Sequence, residues 1–168
     1  MSLFKVHDSN YLNVPNHPEI KATVDTYNGY QFKLVGDTAV PHATAAEVQS
    51  GEAYVMWNII DKPEIINTDD YKVKTGEAIR AWRLKDLVGL KLDLSADLVT
   101  DAFTGVAEGA KLVGRSAVDT TDTQKWKVAA DVTGYKLYLE VVKKTTFGAF
   151  TADGKVPGGY LVKVVFVN

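Results

Sequence analysis

Cysteine is absent from the 168 residues. That excludes a disulfide scaffold, a thiolate metal site and a cysteine nucleophile. Histidine is scarce: His7, His17 and His42 stand far apart, with no His-x-His or His-x-x-x-His spacing. No local metal-ligand set is therefore announced, and the ordinary role of a hydrogen-bonded or solvated histidine is expected. A basic surplus is lacking as well. The net charge is −2 and the isoelectric point about 5.9, so direct binding to nucleic acid is not expected. No apolar run approaches the roughly 20 residues of a membrane span, and "MSLFKVHDSN" has no apolar core of signal-peptide length. The expectation is a soluble protein folded in the cytoplasm of the cell that makes it.

Catalytic and cofactor motifs are missing too. There is no Gly-x-Ser-x-Gly elbow, no Gly-x-x-x-x-Gly-Lys loop and no Gly-x-Gly-x-x-Gly after a strand. "DGKVPGG" at 153–159 is glycine-rich, but no helix follows to complete a phosphate cradle. Asp69 and Asp70 in "NTDDYK" are chain neighbours. In extended chain they point to opposite sides and read as a turn rather than a catalytic pair. "DTTDTQ" at 119–124 reads as a polar surface loop. No enzyme activity, metal or cofactor is expected.

What is present is β-rich. Apolar runs such as "KATVDTY", "YVMWNII", "AIRAWRL", "QKWKVAA", "YKLYLEVV" and "YLVKVVFV" are short, β-branched and aromatic, and bounded by Gly, Asn, Asp or Pro. This predicts many short strands. Helical periodicity is confined to "HATAAEVQS" at 42–50, ending at Gly51, and a turn at "LKDLVG", 84–89. With 46% hydrophobic and 24% charged residues, the chain reads as one all-β domain over 1–168. A mainly antiparallel barrel or sandwich with one or two short helices is expected.

Local signals refine this. "DTYNGYQF" at 25–32 predicts a hairpin over 21–35 about Asn28-Gly29, with Tyr27 facing Tyr30 and Asp25 facing Phe32. "TADGK" at 151–155 is a second such signal. Prolines in "NVPNHPEI" suggest that residues 1–20 form an extended arm, or simply a neighbouring strand. The pattern Val-x-x-Gly-x-x-apolar recurs at Val48, Val73 and Val106. Each copy reads as a glycine turn feeding a strand, by common geometry or by chance.

Two of the chain's three arginines flank a tryptophan in "VKTGEAIRAWRL". Strand alternation points Ala78, Arg80, Trp82 and Leu84 one way and Glu77, Ile79, Ala81 and Arg83 the other. Neither face is purely polar. That suits a strand covered on both sides, or one whose outer face meets a partner. Snorkelling arginines over a core edge are the plainer alternative. Arg80, Trp82 and Arg83, with Tyr27 and Tyr30 of the aromatic turn, are the candidate partner-interface residues. Trp57, Trp82 and Trp126 each lie in an expected strand, as core or as sugar-stacking platforms.

"YNGYQFKLVGDTAVP", "GEAYVMWNIIDKPEIINTDDYKVKTGEAIRAWRLKDLVGLKLDLSADLV" and "GYKLYLEVVKKTTFG…GGYLVKVV" together span most of the chain. In style this sequence resembles the capsid decoration, or head-stabilising, proteins of tailed bacteriophages. The best-known small members are shorter, which makes residues 1–40 an addition. The resemblance implies a non-enzymatic virion protein on the capsid surface. It would bind the major capsid protein lattice, often as a trimeric homo-oligomer, and reinforce the shell against DNA pressure. A carbohydrate- or receptor-binding β module, and a tail or head–tail connector protein, are the alternative readings.

Overall fold

The computed structural model describes residues 4–6, 16–58, 71–147, 149 and 156–168. Eleven strands are formed among them: β1 (Phe4–Val6), β2 (Asn16–Ala22), β3 (Gln31–Val35), β4 (Thr38–Val40), β5 (Tyr54–Met56), β6 (Ala78–Arg83), β7 (Lys91–Ser95), β8 (Lys111–Gly114), β9 (Trp126–Ala129), β10 (Leu137–Thr145) and β11 (Gly159–Phe166). Among the described residues the one α-helix is α1, Ala45–Gln49, and short 3₁₀ turns cover Leu84–Leu87, Ala96–Leu98 and Ala117–Asp119. The fold is all-β, as the short β-branched runs require.

Barrel and open sheet coexist. Strands β2-β4-β3-β5-β6 close a five-stranded barrel, and β1-β7-β11-β10-β8-β9 form a six-stranded sheet. Pairing is antiparallel except between β2 and β4. Each sheet has its own apolar cluster. Ile20, Phe32, Met56, Ile79 and Ala81 fill the barrel. Leu92, Leu94, Leu112, Trp126, Leu139, Val162 and their neighbours pack the inner face of the sheet.

Strand β6 is the wall between the two clusters. Ile79 and Ala81 point into the barrel, whereas Trp82 and Leu84 point into the sheet's core. This explains the mixed faces of "AIRAWRL": the second half of the strand is buried on both sides by its own chain, while Ala78 and Arg80 stay exposed.

Local chemistry explains the helix and its end. Thr44 caps α1 by accepting from the Glu47 amide at 3.3 Å, and Val48 is its buried residue. The chain then turns at Gly51, whose φ is 78°. The recurrent valine–glycine pattern proves structural. Gly51, Gly76 and Gly109 have φ of 78°, 85° and 81°, conformations that side chains with a Cβ resist. Strands β5, β6 and β8 follow them, and Val48, Val73 and Val106 are all buried.

The Asn28-Gly29 turn forms, but the hairpin over 21–35 does not. Tyr30 N–H donates to the Tyr27 carbonyl at 3.1 Å, yet β2 pairs with β4 and β6 and β3 with β4 and β5. Phe32, the expected partner of Asp25, thus pairs with Tyr54, while Tyr27 and Tyr30 stay together across the turn. The turn itself is sunk into the molecule. Gly29 N–H donates to the Met56 carbonyl at 2.9 Å, and Trp126 Nε1 donates to the Gly29 carbonyl at 3.1 Å. Closing the barrel and docking this turn satisfies more backbone groups than an isolated ribbon would. Within 1–20, Phe4–Val6 form β1 of the sheet and the chain from Asn16 starts β2 of the barrel; residues 1–3 and 7–15 lie outside the described residues. The "TADGK" turn lies outside the described residues, between the paired strands β10 and β11.

Candidate functional site

The five residues singled out in the sequence do not converge on one exposed surface. Trp82 is 9% exposed. Its Nε1 donates to the Trp57 carbonyl at 3.1 Å, and the two indoles lie tilted, 5.5 Å between centroids. Arg83 Nη2 donates to both carboxylate oxygens of Glu52, at 2.6 and 2.7 Å. That hydrogen bond holds its guanidinium even more firmly protonated than usual. Tyr27 and Tyr30 are half-buried, their rings tilted at 5.3 Å. Only Arg80 is exposed. The tryptophans offer no open stacking platform, since Trp126 is 2% exposed and Trp57 half-buried against the sheet's core.

Of the three histidines, only His42 has a described side chain. It is 1% exposed, and neither ring nitrogen has a hydrogen-bond partner. Burial lowers its pKa to about 4, against a smaller opposing effect of Glu47, so the imidazole is neutral at neutral pH. His42 lines a cleft of about 410 Å³ whose rim holds Lys33, Glu47, Ser50 and Glu52. Lys33 Nζ donates to Glu47 at 2.6 Å, and the Ser50 hydroxyl donates to the Glu47 carbonyl at 2.6 Å. The rim charges thus compensate each other, and the serine is not set against a base. Among the described residues, no three histidine, aspartate or glutamate side chains gather as a metal set. Asp69 and Asp70 lie outside the described residues.

A different surface stands out, one the sequence reading passed over. Inward positions of the six-stranded sheet are mainly apolar, and outward positions carry lysine beside the buried Asp93, Ser95, Val113 and Leu161. Each strand supplies one: Lys5 on β1, Lys91 on β7, Lys163 on β11, Lys143 on β10, Lys111 on β8 and Lys127 on β9. The central row runs Lys91–Lys163–Glu140–Lys111–Ala129 across five strands in register. Beside it runs Lys5–Asp93–Leu161–Lys143, brought into line by a bulge after Val141.

Acidic groups on these outward positions are two, Asp93 and Glu140. Lys5 lies 3.6 Å from Asp93 and Lys163 lies 3.9 Å from Glu140. Lys127 reaches Asp119 at 2.6 Å, beyond the strand ends. The Lys111 ammonium stands 5.5 Å from the centroid of the Tyr138 ring. Among the described residues, six lysines and two carboxylates stand on the outward strand positions of this face. A chain whose net charge is −2 thus carries a local basic surplus there. The signal was available in the period-2 placement of lysine in "LKLDL", "KLVG", "KWKVA", "LEVVKK" and "LVKVV", but only the pairing order brings those lysines together.

No known family model, curated protein or solved structure matches the chain.

Proposed function

We propose that this chain is a non-enzymatic virion structural protein that binds the outer surface of a phage capsid and stabilises it. The reading rests on the resemblance carried by the stretches quoted above, and on one structural observation. The outer face of the six-stranded sheet bears a lysine in every strand; Lys5, Lys91 and Lys143 are exposed, around the buried outward positions Asp93, Ser95, Val113 and Leu161. A wide surface of alternating apolar and charged groups suits attachment to an extended lattice better than enclosure of a small substrate. Binding as a trimer is part of the same reading, because a decoration protein seated on a symmetry axis of the shell repeats that symmetry.

Co-sedimentation of the purified protein with capsids assembled without it is the test. Saturable binding at a fixed ratio to the major capsid protein is expected, with electron density on the outside of the head. Absence of binding, together with a monomer in light scattering at all concentrations, would remove this reading. Density on the tail or at the neck would replace it with the tail or connector alternative.

A further inference from the structure

We infer that the lysine-bearing outer face of the six-stranded sheet is the docking surface, and that its partner is an acidic protein surface. This rests on the reading of the chain as a surface-docked structural protein and names the chemistry of what it docks on.

Charge complementarity carries the assignment. Lys91, Lys111 and Lys143 have no carboxylate within salt-bridge distance among the described residues, and Lys163 is 45% exposed despite its long contact with Glu140. Neighbouring strands stand about 4.8 Å apart, so the lysines spread over a patch about 24 Å wide. Such spacing matches carboxylates scattered over a protein surface. It does not follow the single line of phosphates along a nucleic-acid strand.

Three features favour protein over nucleic acid as occupant. Glu140 sits inside the central lysine row, where it would oppose a phosphate but can meet a basic group of a mixed protein surface. The chain as a whole carries a net charge of −2, so a long uniform polyanion gains no attraction at range. A local acidic patch within a Debye length, about 8 Å at physiological salt, meets chiefly the lysines. Lastly, the face contains no arginine, the residue suited to bidentate phosphate clamping. Lysine heads are mobile point charges that steer encounter and tolerate an imprecise partner geometry.

The experiment compares the intact protein with a variant combining Lys91→Gln, Lys111→Gln, Lys143→Gln and Lys163→Gln. The probes are poly-L-glutamate and a short DNA duplex, across a sodium chloride series. Intact protein should bind poly-glutamate at low salt, and the variant should bind at least about tenfold more weakly. A control carrying Lys21→Gln and Lys74→Gln on the barrel should bind like the intact protein. Circular dichroism confirms that each variant is folded. If the fourfold variant is not, the pairs Lys91→Gln with Lys163→Gln and Lys111→Gln with Lys143→Gln stand in for it. Equal binding by variant and intact protein, no binding to poly-glutamate, or tighter binding to DNA each overturns the assignment. So does a self-associated state that the four substitutions dissolve, since the occupant would then be a second copy.

The capsid assay separates the two claims. Intact protein that binds poly-glutamate but not capsids removes the decoration reading and leaves the acidic partner. A fourfold variant that still decorates capsids removes this face and leaves decoration.

Discussion

The barrel and the six-stranded sheet distribute their charges differently. Around the barrel, Lys33 meets Glu47 at 2.6 Å, Lys72 meets Asp25 at 2.9 Å and Arg83 meets Glu52 at 2.6 Å, while the exposed Lys21, Lys74 and Arg80 are scattered and have no carboxylate within salt-bridge distance among the described residues. On the sheet, lysines outnumber carboxylates and several are left without a partner among the described residues. Exposed ion pairs add little to stability, but they do cancel the field that a partner would feel. Both regions thus keep unpaired cations, and what sets the sheet apart is that its lysines share one face. The cores differ in the same sense of dependence. The barrel's cluster is small and rich in alanine, and the larger cluster lies under the sheet. The barrel leans on the sheet, and the sheet is left with a face to spare.

If β6 is the shared wall, its tryptophan is the position that hurts both regions. Trp82→Ala should destabilise the protein by about 4 kcal/mol and leave unfolding in urea a single transition. A loss below about 1 kcal/mol, or two separate transitions, would show that barrel and sheet are independent units.

The docked turn offers a graded comparison. A Cβ added at Gly29 would lie 2.5 Å from Leu98 Cδ1 and 2.9 Å from Phe4 Cβ, whereas Gly76 faces open space. Both have positive φ. Gly29→Ala should therefore cost about 3 kcal/mol, combining overpacking with backbone strain, and Gly76→Ala about 1 kcal/mol from backbone conformation alone. Equal losses in thermal melts would mean that the turn is not seated between the two regions.

Acid tests the barrel side through His42. Its folded pKa, about 4, lies below the ordinary value of 6.5, so the unfolded chain binds more protons between those limits. Stability should fall as pH drops through that window, by about 2 kcal/mol from about pH 7 to about pH 5. Glu47, whose pKa is lowered chiefly by the Lys33 hydrogen bond and also by the Ala43 amide, loses its contribution only further into acid. His42→Leu should flatten the upper window and spare the lower one. An unchanged pH profile for that variant would place the imidazole in water.

Much of the architecture was legible in the residues. Short β-branched runs specify strands, and three valine–glycine turns mark strand entries because glycine alone is at ease at their φ. The helix was legible from the run at 42–50 and Gly51, but not its cap at Thr44. What was not legible was pairing at a distance. Asn28-Gly29 encodes a turn, but whether its flanks bond each other depends on β4, β5 and β6, which lie far along the chain. The same limit hid the candidate face. One lysine in a strand is unremarkable, and six become a surface only when β1, β7, β11, β10, β8 and β9 are laid side by side. "IRAWRL" misdirected for a related reason. Arginine and tryptophan are as suited to an internal seam as to an external one, and here Glu52 and Trp57 supply the partners.

Lysine footprinting of the capsid-bound protein tests the central claim most directly. Mild acetylation of free and bound protein, read by mass spectrometry, reports the burial of each ammonium group. Lys91, Lys111, Lys143 and Lys163 should be protected on binding, with Lys21, Lys72 and Lys74 of the barrel region modified at unchanged rates. Protection of the barrel lysines, with the sheet lysines still open to reagent, would contradict it.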